Sequence, residues 1–198
     1  MFSNKDKQDI GILDHKGYNK NPLTDESYSK QYKIYSLTSE KPWSKLPMAK
    51  YRKEIIEKIT NNRVNIITAG TGAGKSVIVP RCALHAVNYK GKVAMTVPKR
   101  MLARGAAEWT AKNLDVELGK EVGFQHRDSI ISAGTEIEVK GTKIKVTEDR
   151  PSYDKYLTKL LFATDGTINA KILNNKYQEK PGSFDIIIID EAHERSNS

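Results

Sequence analysis

Two short segments of this 198-residue sequence carry side chains that could do chemistry together. The first is Ala69-Gly70-Thr71-Gly72-Ala73-Gly74-Lys75-Ser76, which fits a phosphate-binding loop with alanine in place of the first glycine of the strict pattern. Glycines let the backbone wind tightly enough for successive N–H groups to face phosphate oxygens, and a helix opening at the loop adds the positive end of its dipole. In that arrangement Lys75 reaches the β- and γ-phosphates of ATP or another nucleoside triphosphate, and the Ser76 hydroxyl binds Mg²⁺. The second segment is Asp190-Glu191, two adjacent acids behind four isoleucines. A buried strand delivers a carboxylate at its C-terminal end, where ligands of open α/β sheets bind. Asp190 then holds Mg²⁺ through its waters, while Glu191 orients and deprotonates the attacking water. Lys75, Asp190 and Glu191 are the catalytic candidates.

Such a loop needs a strand before it and a helix behind it. Residues 64–68 are apolar and β-branched, which predicts a buried strand, and Val77, Ile78, Val79, Ala83, Leu84 and Val87 predict a helix ending before Gly91. Upstream, Tyr51, Ile55, Ile56 and Ile59 give a helix that starts at Pro47 and stops at Asn61-Asn62. Downstream, a strand over 93–97 leads through Pro98 into a helix reaching about Leu114. Strands follow over 122–125 and 160–164, then a short helix over 168–173, then an apolar strand over 184–189 that runs into Asp190. This alternation is the rhythm of a right-handed parallel α/β sheet. Strict alternation in 136–139 and 143–146, around Lys140-Gly141-Thr142, reads as a solvated β-hairpin inserted into that order. Residues 1–45, rich in Lys, Asn, Asp, Ser and Tyr, read as a polar extension that is disordered or loosely docked, with 46–198 as the α/β domain.

The 33 Lys and Arg against 24 Asp and Glu leave a formal charge of +9, which favours a polyanionic partner. No stretch approaches the roughly 20 apolar residues of a spanning helix, and the first residues lack the apolar run of a secretory signal, so neither membrane nor secretion is expected. The single Cys82 permits no internal disulfide, and no Cys/His cluster has zinc-ligand spacing. A reducing compartment is the natural setting.

The run Asp190-Glu191-Ala192-His193-Glu194-Arg195-Ser196 resembles the Walker B motif of DEAH-box helicases, superfamily 2 NTPases acting on RNA or sometimes DNA. Val97-Pro98-Lys99-Arg100 is similar to their motif Ia, which usually reads Pro-Arg-Arg, and Thr164-Asp165-Gly166 to their motif Ib. Leu114-Asp115-Val116, Leu118-Gly119 and Glu121-Val122-Gly123-Phe124 also follow the family's pattern. The resemblance covers about 47–198 and implies one RecA-like P-loop NTPase lobe, a parallel sheet flanked by helices. It further implies that Pro98, Lys99, Arg100, Thr164, Asp165 and Gly166 hold the phosphate backbone of a single strand whatever its base sequence, RNA ahead of DNA. His193 would link nucleotide state to a second lobe.

The family's adenine-stacking arginine falls on Trp109, which either stacks a base through its π-face or is a core residue of an amphipathic helix. Family lobes place a further strand, carrying a Ser-Ala-Thr type motif III, between the Walker A and Walker B strands, and Ser198 comes before any such strand. The second lobe, with its arginine finger, is likewise expected outside this sequence. The implied function is Mg²⁺-dependent NTP hydrolysis coupled to single-strand translocation and unwinding once the second lobe is joined, the 198-residue chain alone being inactive. A DNA translocase of the same superfamily stays open. So does a nucleotide-dependent binding module without turnover, although intact Lys75, Asp190 and Glu191 argue against it. Lys45-Leu46-Pro47-Met48-Ala49 ahead of the loop is similar to the entry segment of poxvirus-type helicases. That likeness implies a large DNA virus as the source and the cytoplasm, the nucleus or a virion as the location.

Overall fold

The computed structural model describes residues 9–40, 42–126, 129–174 and 183–191. In chain order its elements are helices α1 (Lys30–Thr38), α2 (Arg52–Asn61) and α3 (Lys75–Ala86), strand β1 (Val93–Thr96), helix α4 (Arg100–Leu114) and strands β2 (Val122–Gln125), β3 (Ile130–Ile131), β4 (Glu136–Val139), β5 (Thr142–Lys145), β6 (Arg150–Pro151) and β7 (Leu160–Ala163), followed by helix α5 (Asp165–Asn174) and strand β8 (Ile186–Ile189).

Four of these strands form one parallel sheet in the order β2-β7-β1-β8. β1 and β7 are buried along their whole length because helices cover both faces of the sheet. The period of two sorts their side chains: Val93, Met95, Leu160 and Phe162 pack with residues of α3 and α4, while Ala94, Leu161 and Ala163 pack with Ile168 of α5. Ala103, Ala107 and Ala111 recur every fourth residue on the buried face of α4, and their small side chains let the helix lie close on the sheet. The expected parallel α/β order is therefore present, and α5 begins at Asp165 rather than at 168.

One expected strand is absent from the sheet. Residues 64–68 run up to the glycine-rich loop with no ladder partner among the described residues, leaving Val64 79% and Ile66 90% exposed. The far edge of β8 is open in the same way, with Ile187 and Ile189 exposed. A β-branched run becomes a strand only when a neighbour completes its hydrogen bonds. Both apolar runs lack that neighbour on the same side of the sheet.

The segment before the domain also differs from expectation. Residues 9–40 and 42–45 are neither disordered nor loosely docked, and residues 1–8 of the expected extension lie outside the described residues. Ile12 and Trp43 are buried in a core cluster with Met48, Ala49, Ile55, Ile78, Val79 and Cys82. Burial pushes the Cys82 thiol up to about 12, so it is a packing residue rather than a nucleophile. Polar side chains complete the docking. The Ser29 backbone N–H and hydroxyl donate to the two carboxylate oxygens of Asp115, at 2.6 and 2.8 Å. The same hydroxyl accepts from the Tyr32 N–H as the N-cap of α1. Asn21 Nδ2 donates to the Leu114 carbonyl at 2.8 Å, and the Ile12 N–H donates to the Tyr89 hydroxyl at 2.9 Å.

The inserted hairpin is present as β4 and β5, turning on Lys140-Gly141 with both residues at positive φ, which is the two-residue turn that matches strand twist. Its tip rests on α1. A Cβ at Gly141 would lie 2.5 Å from Gln31 Cβ, and Lys140 pairs with Glu26. Together, β3 and β6 tie the base of the insertion.

Asp115→Ala should remove the charge-assisted anchor of α1 and also strain the left-handed residue 115, whose φ is +57°. We expect a loss of about 2–4 kcal/mol in chemical denaturation together with faster proteolysis within 9–45. Asp115→Gly should relieve the strain and still lose the anchor, so equal stability of glycine variant and wild type would refute the anchor.

Candidate functional site

The phosphate-type loop is wound as its glycines require. Gly72 and Gly74 both have positive φ, +76° and +92°, and Gly74 is the residue from which α3 starts, its carbonyl accepting from the N–H groups of Val77 and Ile78. A bond from the Met48 N–H to the Ala73 carbonyl, at 3.0 Å, braces the loop from outside. Gly70 and Gly72 face open space where a Cβ would sit, which leaves the concave side free for a ligand. The ammonium of Lys75 folds back over the loop and donates to the Ala69 carbonyl at 2.7 Å. Thr71 is exposed at the loop's crest.

The two chemistry-bearing segments meet. Ser76 Oγ donates to Asp190 Oδ2 at 2.9 Å, across 114 residues of sequence, and the Glu191 N–H donates to Asp190 Oδ1 at 3.2 Å. Glu191 has a φ of +50°, an uncommon conformation for a residue with a side chain and one that recurs at functional sites. Ser76 and Asp190 form an all-oxygen donor pair of the kind that a hard divalent cation accepts alongside water.

Neighbouring strands deliver the remaining candidates to the same edge. Pro98, Lys99 and Arg100 follow β1 and are exposed; Thr164, Asp165 and Gly166 follow β7, which pairs with β1 in register from Val93↔Leu160 to Thr96↔Ala163. The Thr164 and Thr167 hydroxyls bond each other at 2.9 Å, holding the first turn of α5. At the ends of β1 and β2, Thr96 Oγ1 and Gln125 Oε1 are buried without a hydrogen-bond partner among the described residues. Unsatisfied polar atoms of this kind are uncommon and collect where a ligand or water completes them.

Trp109 is 42% exposed on α4, so it is not a core residue, and its ring centre lies 5.9 Å from the Arg81 guanidinium. His193 lies outside the described residues. Sequence reasoning missed Leu46 and Met48, which brace the loop. Met48 acts through its backbone, a role that no side-chain type announces.

Comparison with known proteins agrees with this geometry. A family profile described as "Type III restriction enzyme, res subunit" matches residues 45–198. The ATP-dependent RNA helicase L540 of Acanthamoeba polyphaga mimivirus is 35% identical over 196 residues, 98% of this chain and 24% of its own length. The ATP-dependent RNA helicase HrpA of Borreliella burgdorferi is 35% identical over 153 residues, 77% of this chain and 16% of its own. Among solved structures, the DEAH/RHA helicase HrpB of Escherichia coli matches with a TM-score of 0.56 at 26% identity, over 77% of this chain and 16% of that one. The chain belongs to the DEAH-type superfamily 2 helicases, as an N-terminal RecA-like lobe.

The helicase lobe spans a quarter or less of the length of these relatives. Among the described residues of the lobe no helix is long and apolar enough to cross a membrane. The shape of the phosphate loop depends most on Gly74, where an added Cβ would lie 2.8 Å from Leu46 Cδ1 and 3.0 Å from Leu46 Cβ. Gly74→Ala should therefore cost at least the ~1–2 kcal/mol of a left-handed residue with a side chain and weaken ATP binding. An alanine variant that denatures and binds ATP like the wild type would show that the loop does not need this conformation.

Proposed function

We propose that this lobe binds a nucleoside triphosphate over Ala69 to Ser76 and, joined to a second lobe, couples Mg²⁺-dependent hydrolysis to movement along single-stranded nucleic acid, RNA ahead of DNA. The observation that carries the reading is the Ser76–Asp190 hydrogen bond, which joins the start of α3 to the end of β8 beside Glu191. The names of the relatives support RNA as the substrate, and two of them are called ATP-dependent.

In this reading the loop N–H groups and the N-terminal end of α3 hold the phosphates, and the Lys75 ammonium exchanges the Ala69 carbonyl for phosphate oxygen. Ser76 and Asp190 would hold Mg²⁺, which when bound neutralises phosphate charge. Glu191 orients the attacking water and accepts its proton. Trp109 offers its open face to the base. His193 passes nucleotide state to the second lobe. Pro98, Lys99, Arg100, Thr164, Asp165 and Gly166 hold the sugar-phosphate strand, the two runs following neighbouring strands of the sheet.

In the complete protein, Lys75→Ala should lower both nucleotide affinity and turnover, whereas Glu191→Gln should keep affinity and lose turnover by 10² or more, the usual worth of a general base. RNA should stimulate wild-type hydrolysis more than single-stranded DNA does. Wild-type turnover in Glu191→Gln would remove it as the base, and stronger stimulation by DNA would reverse the substrate order.

Lys99→Ala should weaken binding to all single strands alike and flatten the dependence of log affinity on log salt by about 0.7, the release expected for one phosphate contact. A loss that varies with base sequence would contradict a phosphate contact.

A further inference from the structure

Helix α3 carries a cation that the chemistry above does not use. Arg81 is 2% exposed, and among the described residues its guanidinium donates to the Asn113 carbonyl of α4, 3.5 Å from Nη1. Among the described residues its Nε and Nη2 have no hydrogen-bond partner and no carboxylate pairs with it. A buried guanidinium left without a carboxylate is costly. Aromatic faces take the carboxylate's place. The guanidinium carbon is 4.8 Å from the centre of the Trp43 ring and 5.9 Å from that of Trp109. A cation over an indole is attracted by the ring quadrupole, more strongly once desolvated.

The two tryptophans belong to different parts of the molecule. Trp43 lies in the N-terminal segment and is 3% exposed, whereas Trp109 lies on α4 and keeps 42% of its surface open. Arg81 is six residues beyond Lys75, about 9 Å along the helix axis, within the length of a nucleoside triphosphate whose phosphates sit at the loop. We propose that Arg81 is a positioning residue that holds the Trp109 ring for the base of the bound nucleotide, and that Trp43 fixes Arg81 in turn, so that the N-terminal segment sets the affinity for the base without touching the phosphate contacts. This rests on reading Trp109 as the base-stacking surface. Asn113, whose side chain donates to the Trp109 carbonyl at 2.7 Å, fixes the backbone beneath the ring from the same side.

The test compares ATP with inorganic tripolyphosphate, both with Mg²⁺, on the 198-residue chain, because tripolyphosphate keeps the loop contacts and has no base. Trp109→Ala, Arg81→Met and Trp43→Leu should each weaken ATP by about five- to tenfold, the size of a partly buried cation–π or stacking contact, and leave tripolyphosphate affinity unchanged. Arg81→Lys, which keeps a cation over the rings, should recover most of the loss. Arg81→Met should fold, because replacing an unpaired buried charge by an apolar side chain of similar length is commonly neutral or stabilising. Should it not fold, Trp43→Leu and Arg81→Lys carry the test. An equal loss for ATP and tripolyphosphate in Arg81→Met or Trp43→Leu would make the role structural and overturn the proposal. If Trp109→Ala weakens ATP while Arg81→Met and Trp43→Leu do not, the coupling falls and base stacking stands. If Trp109→Ala leaves ATP affinity unchanged, base stacking falls and the coupling falls with it.

Discussion

A parallel sheet sends every chain return across its faces, and this constraint organises the molecule. The strands β2, β7, β1 and β8 all point the same way, so each connection must climb back as a helix or an insertion and cover a face. The covering buries β1 and β7 completely and leaves the strand ends to loops, those at the C-terminal ends being where ligands of open α/β sheets bind. Adjacent strands lie about 4.8 Å apart. Residues at the ends of β7, β1 and β8 are therefore neighbours whatever their separation in sequence. Asp190 at the end of β8 and the two runs that follow β1 and β7 share an edge for this reason, and Ser76 meets Asp190 there from the start of α3.

The sheet also explains what does not form. β8 hydrogen-bonds β1 on one side, and among the described residues nothing pairs with its other edge or with residues 64–68. Apolar, β-branched residues on both sides of that gap are exposed, including Ile66, Ile187 and Ile189. An open apolar edge of this length is an aggregation hazard unless something covers it. The phosphate loop keeps its shape nonetheless, because Met48, Leu46 and the positive φ of Gly74 hold it from the helix side.

Elements that obey a local period were legible in the sequence. β2 and the inserted hairpin were expected within a residue of where they lie, since two-residue alternation or a short apolar run needs no distant information. Residues 64–68 have the same local pattern and form no strand, because strand formation depends on a neighbour that the pattern does not mention. The docking of 9–45 was illegible for the opposite reason. Asn21, Ser29 and Asp115 look like solvated polar residues, and their role appears only when residues some 86 to 93 positions apart meet. Of the candidate site, the loop and the Asp190 pairing were legible from residue type and spacing. Arg81 was not, since a charged residue within a helical pattern reads as part of the solvated face, and only its burial reveals it.

The two features that exceed a bare parallel lobe are the N-terminal segment and the inserted hairpin, and they depend on each other. The hairpin turn at Gly141 packs on Gln31 of α1, Lys140 pairs with Glu26, and Glu138 pairs with Lys112 of α4 at 2.7 Å. Asp115, at the end of the same α4, anchors Ser29. Segment, hairpin and α4 thus form a closed ring of contacts, with Trp109 on the helix they share. An isolated two-stranded hairpin is marginal in water, so the insertion needs α1 and α4 as much as they are braced by it. The match to mimivirus L540 runs across 98% of the chain, segment included, whereas the match to HrpA covers 77%. The N-terminal segment and the hairpin both meet α4 at its C-terminal end, at Lys112, Leu114 and Asp115, and one turn before it stands Trp109, which faces Arg81 as Trp43 of the segment does.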